Sequence, residues 1–289
     1  MIRRTAPAKI NLDLFVTGRR ADGYHELDSL VVFGVVADEL ALAPADELTL
    51  TVEGPFADRV PHGESNLVLR AARLLAEWAA RPAGARIRLT KRVPPAAGLG
   101  GGSSDAAQTL SGLAELWGLE MDLPTLLELA GELGADVPVC LWGRTARMRG
   151  IGERLDPVRG LPPLPLVLAG PGCELPTARV FEAFARSETP RPAARPPLPA
   201  EATLPVFGWW LGEGRNDLEA TARRLCPGVE AVLRALRAAA GCLVARLSGS
   251  GPTCYGLFES PAAARAAARR LAGERPDWWV AQGVVETVG

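Results

Sequence analysis

One run of glycine and serine, between residues 94 and 107, constrains this chain more than any other stretch: Pro-Pro-Ala-Ala-Gly-Leu-Gly-Gly-Gly-Ser-Ser-Asp-Ala-Ala. Ahead of it, Ile87, Leu89 and Val93 alternate with Arg86, Arg88 and Arg92, the period of two that marks a half-buried strand. Behind it, Leu110, Leu113, Ala114 and Trp117 recur at helical spacing, and Gly118 supplies a stop. The run is therefore a loop that leads from a strand into the first turn of a helix. Gly98, Gly100, Gly101 and Gly102 have no side chains, so backbone N–H groups can close on a ligand. Unpaired N–H groups and the helix dipole around Ser103 to Asp105 favour a polyanion, phosphate above all. A flexible linker rarely joins a clean strand to a clean amphipathic helix. A Walker A loop needs a lysine that this run lacks, and the dinucleotide fingerprint needs other glycine spacings.

Composition narrows the function classes. Hydrophobic residues make up 48% of the 289, ample for the cores of two domains. A formal net charge of −1 offers no general pull on nucleic acid or anionic membrane. No apolar stretch reaches the length of a membrane span, and strand alternation starts at once, so a cytoplasmic protein without a leader is expected. Cys140, Cys173, Cys226, Cys242 and Cys254 are scattered and form no Cys-x-x-Cys pair. They read as reduced, mostly buried thiols, with no zinc site. Every basic residue except Lys9 and Lys91 is arginine. Lysine is a compact point charge, able to touch a phosphate oxygen and a hydroxyl together, so each survivor raises a question. Lys91, on the strand ahead of the loop, reads as a chance survivor.

Strand patterns are expected at about residues 9–16, 29–36, 47–53 and 86–93, with a helix near 66–80. In the first strand Ile10, Leu12, Leu14 and Val16 share one face, which places Lys9, Asn11 and Asp13 together on the other. Asp122 caps a helix with Pro124 in its first turn, and Gly134 stops it. Further strands are predicted near 144–149 and 164–169. Between Ser187 and Pro205 proline and alanine dominate, as in an irregular exposed connector. A helix near 229–240, strands near 243–247 and 254–258, a helix near 261–272 and a last strand near 278–285 complete the chain. Strands and helices mixed in this way suggest two α+β layered domains.

Three segments line up: Pro7-Ala8-Lys9-Ile10-Asn11-Leu12 with Gly18-Arg19-Arg20-Ala21-Asp22-Gly23-Tyr24-His25; the glycine loop; and Leu247-Ser248-Gly249-Ser250-Gly251-Pro252-Thr253, a second glycine turn between two strands. Together they resemble the three signature motifs of the GHMP kinases, over nearly the whole chain. The resemblance implies a two-domain α+β fold with an N-terminal ribosomal protein S5 domain 2-like part and a C-terminal ferredoxin-like part, the active site lying in the cleft between them. It implies an N-terminal domain over 1–155 that holds the ATP loop and a C-terminal domain over 156–289. Leu133-Gly-Ala-Asp-Val-Pro138, Pro176-Thr177, Asn216-Asp-Leu-Glu219 and Arg20-Ala-Asp-Gly-Tyr-His25 resemble the branch of the family that acts on 4-diphosphocytidyl-2-C-methyl-D-erythritol, in the non-mevalonate route to isopentenyl diphosphate. The Asp-Gly-Tyr-His segment is not shared by the sugar or mevalonate kinases of the family.

The resemblance also implies roles. Asp136 would accept the proton of the substrate hydroxyl as it attacks the γ-phosphate of ATP, with Lys9 stabilising charge beside it. Taken alone, the segment around Asp136 is equally a turn after a helix, and Lys9 an ordinary strand lysine. Pro94, Pro95, Ala96, Ala97, Gly98, Leu99, Gly100, Gly101, Gly102, Ser103 and Ser104 would form the ATP loop, the two serines capping the helix and one hydroxyl touching the Mg²⁺ that arrives with ATP. Asp105 reads as a helix cap or a metal neighbour. Asn11, Tyr24, His25, Thr177 and Phe181 would contact the substrate, the Tyr-His pair taking the cytidine by stacking and hydrogen bonding. Ser248, Gly249, Ser250 and Gly251 would close the site. Small molecules are the expected partners, without nucleic acid, membrane or an obligate protein. A kinase for another alcohol, or a catalytically inert ligand-binding regulator on the same fold, are the alternatives. Intact Lys9 and Asp136 speak against the regulator, which has no chemical need of both.

Overall fold

The computed structural model describes residues 1–187, 197–199 and 202–287. The chain begins with β1 (Ile2–Asn11), β2 (Phe15–Arg19), the long β3 (His25–Pro44) and β4 (Thr49–Glu53). Next come α1 (Leu67–Trp78), β5 (Ala85–Thr90), α2 (Gly101–Leu116), α3 (Leu123–Leu133) and α4 (Val137–Trp142). Then follow β6 (Ala146–Gly150), β7 (Arg154–Pro157), β8 (Leu164–Gly170), α5 (Thr177–Ser187), α6 (Leu204–Gly212) and α7 (Glu219–Leu225). Helix α8 (Gly228–Arg237), β9 (Cys242–Leu247), β10 (Cys254–Phe258), α9 (Pro261–Glu274) and β11 (Trp279–Val285) end it. The residues pack as two compact units that interleave along the sequence: 1–9, 36–95 and 100–143 in the first; 10–35, 96–99 and 144–289 in the second.

In the first unit the later half of β3 pairs antiparallel with β5, and β5 pairs parallel with β4. Alternation buries Leu40, Leu42, Ile87 and Leu89. Helix α1 starts where the Asn66 side chain accepts the Val68 N–H at 2.9 Å. It buries Val68, Ala71, Ala72, Leu75 and Ala76, a stripe at 3.6-residue spacing. Helix α2 lies close on β3 because Gly112 has no side chain; a β-carbon there would stand 2.7 Å from Leu42 Cδ1. Asp122 caps α3 through the Thr125 N–H at 3.0 Å, as its sequence predicts.

The second unit is built on a four-stranded antiparallel sheet in the order β11-β8-β10-β9. Every residue of β8 is buried, so truncating Leu168 to alanine is expected to cost about 2–5 kcal/mol. Residues of α8 and α9, Val229, Val232, Leu233, Leu236, Ala264 and Leu271 among them, share one core with Val167, Ala169 and Phe258 of the sheet. Earlier in this unit β3 pairs with β2 and β6, and β6 with β7.

Three readings of the sequence need correction. The first strand runs from Ile2 and breaks after Asn11, and both faces are buried over its last residues: Lys9 is 4% and Asn11 1% exposed, and Asp13, just past its end, 0%. Cys173 and Cys226 form a disulfide, so only Cys140, Cys242 and Cys254 are thiols. The pair escapes spacing rules because its members stand 53 residues apart, joined when the loop after β8 meets the C-cap of α7. Helices α4 to α7 and strand β7 lie outside the elements expected from the sequence, although α5 carries a clear stripe, with Val180, Phe181 and Phe184 at helical spacing. The expected connector from Ser187 to Pro205 lies largely outside the described residues, and α6 already begins at Leu204.

Candidate active site

Lys9 lies on β1 with 5% of its side chain exposed, and a buried ammonium demands a partner. Its Nζ stands 2.5 Å from Asp136 Oδ1. Asp136 occupies the N-cap position of α4, yet its side chain bonds none of that helix's N–H groups. Pro138 in the first turn starts α4 at once, so the segment is a turn between two helices that presents a carboxylate. Since 42% of the Asp136 side chain stays exposed, a hydroxyl can reach it.

The glycine loop passes over this pair. Gly100 sits at φ 60°, and a β-carbon on it would lie 3.1 Å from Lys9 Cβ. Helix α2 starts immediately afterwards at Gly101 with no side-chain cap. Ser103 and Ser104 therefore do not cap it; they lie within the first turn, because glycine alone can turn the chain that sharply and begins the helix earlier. The first N–H groups of a helix have no intrahelical partner, which leaves a site for an anion. Ser104 Oγ is buried without a partner among the described residues. Ala96 holds φ 53°, unusual for a residue with a β-carbon and in keeping with a loop shaped for a ligand.

Beneath the loop lies a cluster that the sequence did not disclose. Lys91, 2% exposed, donates to Asp38 Oδ2 at 2.5 Å and to Asp105 Oδ2 at 2.6 Å. Asp38 Oδ1 also accepts the N–H groups of Arg92 and Val93. Lys91 is thus no chance survivor, and Asp105 does not cap the helix: one ammonium ties the strand before the loop to the helix after it. Burial opposes the charge of Lys91, but the carboxylates of Asp105 and Asp38 outweigh it and raise its pKa. Burial, and then the neighbouring Asp38 carboxylate, push the Asp105 carboxyl up against the pull of Lys91. The signal available in advance was the rarity of lysine itself.

The remaining residues belong to the second unit. Ala97 and Gly98 lie against the Ser248–Thr253 turn: Thr253 N–H donates to Ala97 O at 3.3 Å and Ser248 Oγ to Gly98 O at 3.1 Å. A β-carbon on Gly98 would sit 2.6 Å from Ser248 O, so only glycine fits there. Asn11 is a buried hub and not a surface residue. Its N–H reaches Ser248 Oγ at 3.1 Å and its Nδ2 reaches Ser29 Oγ at 2.7 Å, while its Oδ1 finds no partner among the described residues. Thr177 Oγ1 and Ser250 Oγ are 2.9 Å apart, which joins two of the expected contacts. His25 stacks on Phe181 at 5.2 Å and meets Phe184 edge-on at 5.8 Å. Burial, then the charge of Arg19, lowers the pKa of His25. Tyr24 packs on none of these rings and is 59% exposed, as a residue free to stack on a base would be.

Among the described residues no group of three or more His, Cys, Asp or Glu could hold a metal. Residues 66–144 match the family of the GHMP kinases N terminal domain, and residues 208–276 that of GHMP kinases C terminal. The 4-diphosphocytidyl-2-C-methyl-D-erythritol kinase of Jannaschia sp. (strain CCS1) is 52% identical over 280 residues, covering 96% of this chain and 95% of that protein. The enzyme of the same name from Dinoroseobacter shibae is also 52% identical, with 97% and 93% covered. A crystal structure of 4-(cytidine 5'-diphospho)-2C-methyl-D-erythritol kinase superposes with a TM-score of 0.78 at 42% identity, covering 99% of this chain and all of that one. Homoserine kinase from Cytophaga hutchinsonii shares the fold at 20% identity, with a TM-score of 0.72 over 99% of this chain and 94% of that one.

Proposed function

As the chain belongs to the GHMP kinases, and within them to the 4-diphosphocytidyl-2-C-methyl-D-erythritol kinases, we propose that it transfers the γ-phosphoryl group of ATP to the 2-hydroxyl of that erythritol. The observation that carries the mechanism is the contrast within one ion pair: a buried Lys9 ammonium on a half-exposed Asp136 carboxylate, next to an uncapped helix start. Asp136 takes the hydroxyl proton as the oxygen bonds the γ-phosphorus, and ADP leaves with the electrons of the broken P–O bond. Lys9 offsets the charge that gathers on the attacking oxygen and the equatorial oxygens. The N–H groups at Gly101, Gly102 and Ser103 receive phosphate oxygens.

Mg²⁺ supplies charge neutralisation when it arrives with ATP. Among the described residues the hydroxyl of Ser104 has no partner and suits such a cation, while Asp105 gives Oδ2 to Lys91 and keeps its buried Oδ1 unpartnered. Tyr24 and His25 take the cytidylyl end, and Thr177 and Phe181 line the substrate cleft. In the two-domain division we propose, residues 1–155 carry the ATP loop and 156–289 complete the enzyme. The reaction belongs to the cytoplasm, where ATP is supplied, and to the non-mevalonate route to isopentenyl diphosphate, with small molecules as its partners. No helix among the described residues is long and apolar enough to cross a membrane.

The test is ADP release with Mg·ATP and one of four alcohols: the cytidylyl erythritol, mevalonate, homoserine or galactose. Turnover with the first alone is expected. Turnover with another would keep the kinase and discard the substrate; ATP binding without turnover on any of them would favour the regulator.

A further inference from the structure

The Asn216-Asp-Leu-Glu219 segment takes no part in the chemistry above, yet it is bonded to several of the site's supports in the second unit. Asn216 is 7% exposed. Its Nδ2 donates to Leu247 O at 2.9 Å and to Gly249 O at 2.8 Å, and its Oδ1 accepts the Leu218 N–H at 2.9 Å. Both N–H groups of one amide therefore grip the two carbonyls that flank Ser248. Glu219 Oε2 accepts the Leu247 N–H at 3.1 Å, fixing the same residue from its other side. The segment also holds the exit of β1, where Leu14 N–H donates to Arg215 O and Asp217 N–H to Leu14 O, each at 2.9 Å. Val16 N–H donates to Asp217 Oδ2 at 2.8 Å.

Ser248 is where these restraints converge. Its hydroxyl accepts from Asn11 N–H and donates to Gly98 O, and its own carbonyl would stand 2.6 Å from any β-carbon on Gly98. A shift of Ser248 by a few tenths of an ångström thus either clashes with the glycine loop or releases it. We propose that Asn216 is a positioning residue for ATP: by holding both flanks of Ser248, with Glu219 as its support, it sets the shape of residues 97–99 of the glycine loop. An asparagine is the residue for this task because it offers two donors in one plane and one acceptor for its own backbone turn. Aspartate in its place would turn two donors into acceptors facing carbonyl oxygens.

The inference rests on the kinase reading, so its test has an arm that does not. Hydrogen exchange is followed over Leu247–Thr253 in the wild type, in Asn216→Asp and in Asn216→Ala, with β11 as internal reference; the alanine variant removes the donors without adding charge. Exchange in the turn is expected to quicken about tenfold, the loss of one to two hydrogen bonds, with β11 unchanged. In the ADP-release assay the KM for ATP is expected to rise about tenfold while the KM for the alcohol moves less than about twofold. Unchanged protection of the turn, or protection lost equally in β11, overturns the inference even if the wild type proves inactive. So does a fall in kcat with the KM for ATP unmoved. A wild type without turnover overturns only the kinase reading.

Discussion

Lys9 and Asp136 stand 2.5 Å apart, but the lysine side chain keeps 5% of its surface open and the aspartate 42%. The ammonium is locked in place while the carboxylate remains available, an asymmetry that suits a base whose charge is balanced from behind. Asp136→Asn keeps the shape and removes the base. Its kcat is expected to fall by about 10²–10⁴-fold with nucleotide affinity little changed. A kcat near that of the wild type would remove Asp136 from the chemistry.

Gly100 packs on the stem of Lys9. The missing β-carbon of Gly100 would lie 3.1 Å from its Cβ and 3.4 Å from its Cε. Lys9→Arg preserves charge but replaces a compact ammonium by a planar fork in a buried place, and a loss of about tenfold or more in kcat/KM is expected. Full activity in steady-state assays would make Lys9 a structural lysine.

Lys91 neutralises two buried carboxylates, Asp38 and Asp105. Lys91→Met strands both and is expected to destabilise by about 3–5 kcal/mol in urea unfolding. Adding Asp38→Asn should recover part of that loss, because one uncompensated charge is gone. A single mutant as stable as the wild type would show that the cluster contributes nothing.

His25 has a pKa below its ordinary 6.5, owing to burial and then to Arg19. The folded state therefore resists protonation. Its stability is full above 6.5 and declines as the pH falls through that value towards the lowered one, where the unfolded chain binds the proton first. An NMR titration of the His25 ring should show a midpoint under 6.5, and His25→Gln should flatten this part of the stability profile. A midpoint at or above 6.5 would contradict the packing on Phe181.

The Cys173–Cys226 disulfide closes a loop of 53 residues, which the chain-entropy account values at about 4 kcal/mol. Protein unfolded without reductant should titrate as three thiols, and Cys226→Ser should lower the melting temperature only relative to the oxidised protein. Five thiols would show that the bridge does not form in solution.

The fold class and the glycine loop between β5 and α2 were legible because both rest on local patterns. Alternation marks β5, Asn66 and Asp122 cap their helices, and glycines crowd where backbone must approach a ligand. The Lys91 cluster was not legible, because its members lie at positions 38, 91 and 105 and nothing in their spacing pairs them. Asn11 and Lys9 were expected on one face of a strand, and they share it, but alternation cannot tell a solvated face from one covered by other chain segments. The same limit hid the disulfide. Helix α4 is six residues long, too short for its period to show, although Pro138 and Gly143 mark its two ends.

Gly98 has its seat only against residues that follow it by some 150 positions, since Ser248 and Gly251 are what leave it no space. During synthesis the ribosome releases the strand, the glycine loop and helix α2 long before that turn exists. An emerging chain thus carries every residue proposed to touch phosphate while the loop that should hold ATP lacks its backing. Prematurely terminated products share the defect, so competence to bind nucleotide is delayed until almost the last strand has left the ribosome.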